Sequence, residues 1–150
     1  MKSAAGKYLF LLTRLALGGI FIAASIDKII HPGQFAKIIH NYQILPDYLI
    51  NMAAIVLPWL EALLGLFIIA GIWLPGAVVL ADFLLVAFFS ALMFNIARGI
   101  DVHCGCFSTE VTGAPHTSWY VIRDSLFLLL GLAVLVQVFG GGKKARLGSE

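Results

Sequence analysis

The sequence predicts an all-α integral membrane protein: a bundle of four spanning helices, both termini cytoplasmic, with a short surface helix between spans one and two. Three observations lead there. The 150 residues are 61% hydrophobic and only 12% charged, and the mean hydropathy of +0.97 is far above that of ordinary soluble domains. Four apolar runs, approximately 8–30, 48–73, 75–97 and 119–139, are each long enough to cross a hydrocarbon layer of about 30 Å. The breaks between them carry turn chemistry: HPGQ after the first, WLPG after the second, and a polar stretch from Arg98 to Ser118 before the fourth. Residues 1–142 read as one membrane domain and 143–150 as a basic tail, whose final Gly148, Ser149 and Glu150 resemble a vector-derived scar.

Span one follows the basic segment MKSAAGK and so has the outline of a signal peptide. Its apolar run is longer than a usual signal core, Arg14 interrupts it, and three more spans follow, so it is expected to stay as a helix. Between spans one and two, Phe35, Ile38, Ile39 and Tyr42 fall on one helical face, with Lys37, His40 and Asn41 directed away. This predicts a short helix along the membrane surface, ended by Pro46, either packed on the bundle or covering the cysteine loop. In spans two to four, Gly65, Ala77, Ala81 and Gly131 allow close helix approach, and in span one the small pair Gly19 and Ala23 is placed to do the same.

Orientation follows from Lys and Arg near the span ends. Lys2 and Lys7 precede span one, and Lys143, Lys144 and Arg146 follow span four; an even number of spans then puts both ends in the cytoplasm. The uncharged GIWLPG turn is neutral, while Lys28, Lys37 and Arg98 act in the opposite sense. The connection between spans three and four is thereby placed outside a bacterial inner membrane, where thiol pairs persist as disulfides. A net charge of +2 with mostly dispersed basic residues gives no nucleic-acid footprint.

Five ionisable residues lie at membrane depth, where such groups turn toward partners or cavities: Arg14, Glu61, Asp82, Arg123 and Asp124. Counting rise along the helices puts Arg14 and Asp82 at one cytoplasmic level, placed to pair. Glu61 lies near the midplane, just after a break at Pro58, with no basic residue assigned to its depth. It is expected to be protonated, paired with Arg123, or hydrogen-bonded to a bound molecule such as a quinone. Asp27, Lys28, Arg98, Arg123 and Asp124 form an outer cluster nearer the cysteines, with structural and functional roles both open.

The two cysteines, Cys104 and Cys106, flank a single glycine in HCGCF. A disulfide across one residue closes a small strained ring, and Gly105 supplies the backbone freedom to close it. Strain raises the reduction potential, and so short a loop gains little entropic stabilisation, so an exchangeable redox pair fits better than a structural staple. His103 and Arg98 supply positive charge that favours a thiolate; Asp101 and Glu110 oppose it. The competing account is a soft metal ion held by Cys104, Cys106 and His103 or His116, although no second C-x-C supports it. In both accounts Cys104 and Cys106 carry the chemistry.

The segments RLALGGIFIAASIDKIIHPGQFAKIIHNYQILP, LPWLEALLGLFIIAG, RGIDVHCGCFS and WYVIRDSLFLLLG together resemble the MauE/DoxX family of small four-span membrane proteins. The Asp27–Lys28 pair with the following proline and phenylalanine is similar to the broad DoxX group; the cysteine pair followed downstream by Arg123–Asp124 is similar to the MauE branch. The resemblance implies disulfide handling outside the cytoplasmic membrane beside a thioredoxin-like partner, with Cys104 and Cys106 as redox pair and Arg123 and Asp124 as the matched motif near them. Glu61 falls on the family's Pro-x-x-Glu segment. His103 stands where that pattern often has Asp, and Ser108 where Gly often follows the Phe. Combined with the lone cysteine pair, these features lead to the expectation of a thiol-disulfide oxidoreductase that exchanges disulfides with an extracytoplasmic thiol protein and passes electrons to or from a membrane quinone, since the chain has no second pair to relay them. A soft-metal binding or transport protein, and a scaffold for a larger assembly, are the other classes.

Overall fold

The structure is a computed structural model that describes residues 4–100 and 117–146, with side chains described for 5–100 and 118–140. Five helices make it up: α1 (Ala4–Ile30), α2 (Pro32–Tyr42), α3 (Asp47–Ala70), α4 (Leu74–Ala97) and α5 (Thr117–Arg146). Four of them, all but α2, are long and apolar enough to span a membrane. At 1.5 Å per residue, the 24-residue α3 and α4 are about 36 Å long, which covers the hydrocarbon core.

Local chemistry sets the helix ends. Pro32 and Pro75 occupy the first turns of α2 and α4, where a missing N–H costs nothing. α3 stops at Gly71, whose φ of 75° is left-handed and whose N–H donates to the Phe67 carbonyl at 2.8 Å. The expectation that Pro46 ends α2 is corrected. The helix ends at Tyr42 with Gln43 left-handed at φ 51°, and Pro46 is instead the N-cap of α3. Pro58 does not break α3 either: the helix continues through it, with the ring buried.

The spans are arranged in a ring α1–α3–α4–α5, with α1 closest to α3 and α4 closest to α5, and α2 lies over α3 and touches α1 and α4. At the α1–α3 seam the glycines meet backbone to backbone. A Cβ on Gly18 would lie 2.9 Å from the Gly65 carbonyl oxygen, and one on Gly65 would lie 2.9 Å from that of Gly18. The expected small pair is therefore out of register: Gly19 and Ala23 are exposed, one residue or about 100° around the helix from the true contact. Ala77, Ala81 and Gly131 do take up close-packing positions.

The interior divides along its length. Toward the chain termini it is apolar, with Leu17, Phe21, Leu64, Ile68, Val78 and Val134 buried together. Toward the α2 end it contains Ser25, Lys28, Glu61, Asn95 and Asp124, all buried. Large apolar side chains such as Leu12, Ile55, Phe83 and Leu129 point outward, as a lipid-facing surface requires.

Candidate functional site

The polar half is organised around Lys28 and Glu61. The Lys28 ammonium donates to both Glu61 carboxylate oxygens, at 2.8 and 2.7 Å, and only 3% and 4% of the two side chains is exposed. Lys28 sits in the last turn of α1, but helical side chains lean toward the helix N-terminus, so its long stem runs down toward the middle of the bundle. This corrects the expectation that Glu61 has no basic residue at its depth; its partner is Lys28. Two aromatic rings enclose the ammonium, Phe35 of α2 at 5.1 Å and Phe88 of α4 at 5.3 Å from ring centre. All three contacts hold the charge in a site closed to bulk water.

A second ion pair stands on α5. Arg123 donates through Nε and Nη2 to Asp124 Oδ1, at 3.1 and 2.9 Å, and its guanidinium stacks over Tyr120 at 5.3 Å and Phe127 at 5.9 Å. Tyr42 of α2 lies within electrostatic range of Arg123, Asp124 and Tyr120. Burial, reinforced by the Asp124 charge and opposed by Arg123, raises the Tyr42 hydroxyl above its ordinary pKa near 10, so the phenol keeps its proton. Between the two ion pairs lies a cavity of about 40 Å³ lined by Glu61 and Asp124 among Phe21, Ala24, Phe88 and Phe127. That volume is the size of a single water molecule, and its surface is almost wholly apolar.

Of the other expected site residues, Arg98 lies at the surface, donating to Gln43 Oε1 at 3.3 Å and stacking on Phe94. Asp27 is half-buried at the end of α1. The structure thus gathers Lys28, Glu61, Arg123 and Asp124 and leaves Arg98 outside. Cys104, Cys106, His103 and His116 lie outside the described residues. Among the described residues, no group of three or more His, Cys, Asp or Glu side chains is placed to hold a metal ion. Sequence reasoning missed Phe35, Phe88 and Tyr42 as walls of the site; the apolar stripe on α2 was the available signal, but it did not say what the stripe covers.

The expected Arg14–Asp82 pair is not formed. Among the spans α1 and α4 lie diagonally across the ring, and Arg14 stands level with the end of α3 while Asp82 lies further along the bundle, at Gly131. Arg14 donates instead to the Ile69 carbonyl at 3.2 Å, one of the open carbonyls at the C-terminus of α3, where a cation also complements the helix dipole. Asp82 rests against Gly131 of α5, with both carboxyl oxygens buried and without a hydrogen-bond partner among the described residues.

The sequence model of one family, described as "Methylamine utilisation protein MauE", matches residues 6–137. The chain is 34% identical over 124 residues to the methylamine utilization protein MauE of Paracoccus denitrificans, covering 81% of this chain and 65% of that protein. It is 32% identical over 123 residues to that of Methylorubrum extorquens, covering 79% and 65%, and 29% identical over 120 residues to that of Methylophilus methylotrophus, covering 78% and 61%. The chain therefore spans just under two thirds of the length of these relatives. No solved structure gives a significant match. With the family model covering nearly all of the four-span bundle, the chain belongs to the MauE family of membrane proteins.

Proposed function

We propose that the protein is a membrane thiol-disulfide oxidoreductase whose Cys104–Cys106 pair exchanges disulfides with an extracytoplasmic thiol protein and is reoxidised by a membrane quinone. The single observation that carries this reading is the C-x-C pair itself: the only cysteines of the chain, one glycine apart, in a multi-pass membrane protein. A strained short ring is a ready oxidant. In exchange, a substrate thiolate attacks one sulfur of the ring and releases the other as thiolate; a second substrate thiol then resolves the mixed disulfide, leaving the substrate oxidised and Cys104 and Cys106 reduced. Reoxidation removes two electrons and two protons from the pair, re-forms its S–S bond and converts a quinone to the hydroquinone.

The buried charge cluster supports the second half-reaction. It stands at the end of the bundle from which the 101–116 connection departs, and Arg98, close to that departure point, is tied to Gln43 at the end of α2. Cys104 follows Ile100 by four residues, so chain length alone keeps its Cα within about 14 Å of that of Ile100. Glu61 and Asp124 both line one small cavity, and as carboxylates paired with Lys28 and Arg123 they are acceptors for the protons that accompany the electrons. The relatives' names tie those proteins to methylamine utilization, and the thiol partner proposed here would be a thioredoxin-like or substrate protein of such a system, met outside the bacterial inner membrane.

The test is mass-tag alkylation of thiols, with and without prior reduction, in intact cells and in metal-free purified protein. The expected result is a disulfide in cells that is reducible and re-forms when quinone is supplied. A pair that stays reduced, and is shielded only when a soft metal is added, would replace this reading with ion capture.

A further inference from the structure

Beneath α2 lies a second cavity, of about 270 Å³, bounded by α2 together with α3 and α4. We propose that it seats the ring of an isoprenoid quinone, an assignment that rests on the redox reading above and gives the electron acceptor its place. Four observations converge on that ligand class. A dry cavity of about 150 Å³ suffices for benzene, so this one takes a six-membered ring with substituents. Its wall includes the rings of Phe35, Phe88 and Tyr42, and Tyr42 is the only one of its lining residues with a polar side chain. A neutral, flat, mostly apolar molecule with carbonyl oxygens matches such a lining, whereas a charged or heavily hydroxylated one does not.

Access and electrostatics point the same way. Ile44, Leu45 and Ala87 line the cavity and are exposed, so it opens on the apolar surface of the bundle, from which a lipid-soluble ligand arrives and through which a long tail can leave. Behind the wall, the Lys28 ammonium lies against the rings of Phe35 and Phe88, both of which line the cavity. Phe88 also lines the small cavity of Glu61 and Asp124, so the proposed quinone seat and that cavity share this ring as a wall. The Lys28–Glu61 pair is a dipole whose ammonium end abuts that wall, and Tyr42 contributes the polar edge of the lining.

The experiment uses the intact protein in liposomes, a short-chain ubiquinone analogue, its photoreactive azido derivative, and a small dithiol as electron donor, with the Cys104→Ser variant as background. Ala91→Phe places a ring into the cavity while leaving every ion pair untouched, and Ala87→Leu at the mouth serves if Ala91→Phe does not fold. The expected result is crosslinking to α2 and α4, and a KM for the quinone raised about tenfold or more by the filling variant with little change in kcat. Turnover in the parent protein with crosslinks on other helices, or with an unchanged KM in a folded filling variant, would overturn the site while leaving the redox reading intact. Crosslinking at α2 and α4 without turnover would keep the site and remove the redox reading. Displacement of the probe by a saturated phospholipid as effective as the quinone itself would assign the cavity to an acyl chain and overturn the proposal.

Discussion

Lys28 and Glu61 are joined by two hydrogen bonds of 2.8 and 2.7 Å in the interior of the bundle, although Lys28 belongs to the last turn of its helix and Glu61 to the middle of the next span. The pair locks α1 to α3 and presents a fixed positive charge to the rings of Phe35 and Phe88. Removing one partner leaves the other charge buried and uncompensated, which costs far more than replacing both.

Lys28→Met and Glu61→Leu, made singly, are each expected to destabilise the protein by about 3–5 kcal/mol, while the double variant recovers a large part of the loss. Thermal unfolding in detergent, arranged as a double-mutant cycle, measures this. Additive single effects would show that the two residues act independently.

At the α1–α3 seam, Gly18→Ala and Gly65→Ala force a methyl group against a carbonyl oxygen and an isoleucine side chain. Overpacking of this kind costs about 1–3 kcal/mol. Gly19→Ala meets nothing within 4 Å and is expected to leave stability the same or slightly raised, the helix gaining from the loss of a glycine. Equal losses at positions 18 and 19 would contradict the seam.

Asp82 predicts a chemical reactivity. Its carboxyl stands among apolar side chains with no hydrogen-bond partner among the described residues, where a lipid-soluble carbodiimide can reach it without competition from a bound cation. Labelling is expected at Asp82 and not at Glu61, whose two oxygens are held by Lys28. Peptide mass mapping of the labelled protein decides it. Asp82→Asn, similar in shape, is expected to abolish the label and to lower stability by less than about 1 kcal/mol.

Tyr42 predicts a pH dependence. Its raised pKa means that the folded protein holds the neutral phenol more tightly than the unfolded chain does, so this contribution to stability is complete below about pH 10 and is lost as pH rises through the folded-state value. An absorbance titration of the folded protein is expected to show a tyrosine component that resists ionisation, and Tyr42→Phe is expected to remove it. A titration unchanged in amplitude above pH 10 would refute the burial of this hydroxyl.

The number and order of the spans, and the surface helix between the first two, were legible because each depends on a local quantity. A run of apolar residues either reaches across the hydrocarbon or does not, and the positions of Phe35, Ile38, Ile39 and Tyr42 repeat at the helical period whatever they pack against. The Pro58 break was misread for the complementary reason: local propensity disfavours proline inside a helix, but within an apolar environment every backbone group must find a partner, and continuing the helix satisfies nearly all of them.

The sequence by itself determined that this chain is a four-span membrane protein of the MauE type with a lone C-x-C pair. Which buried charges meet was decided only by the tertiary structure. Depth counted along a helix locates a Cα and ignores both the direction of a side chain and the position of its helix in the ring. Lys28 reaches Glu61 because its stem leans back down α1. Arg14 and Asp82 were counted to one level, yet they stand on diagonal spans, Arg14 at the end of α3 and Asp82 further along the bundle against Gly131. In an apolar medium each charge must find its partner or shed its charge, and the packing of the helices sets which of the two happens.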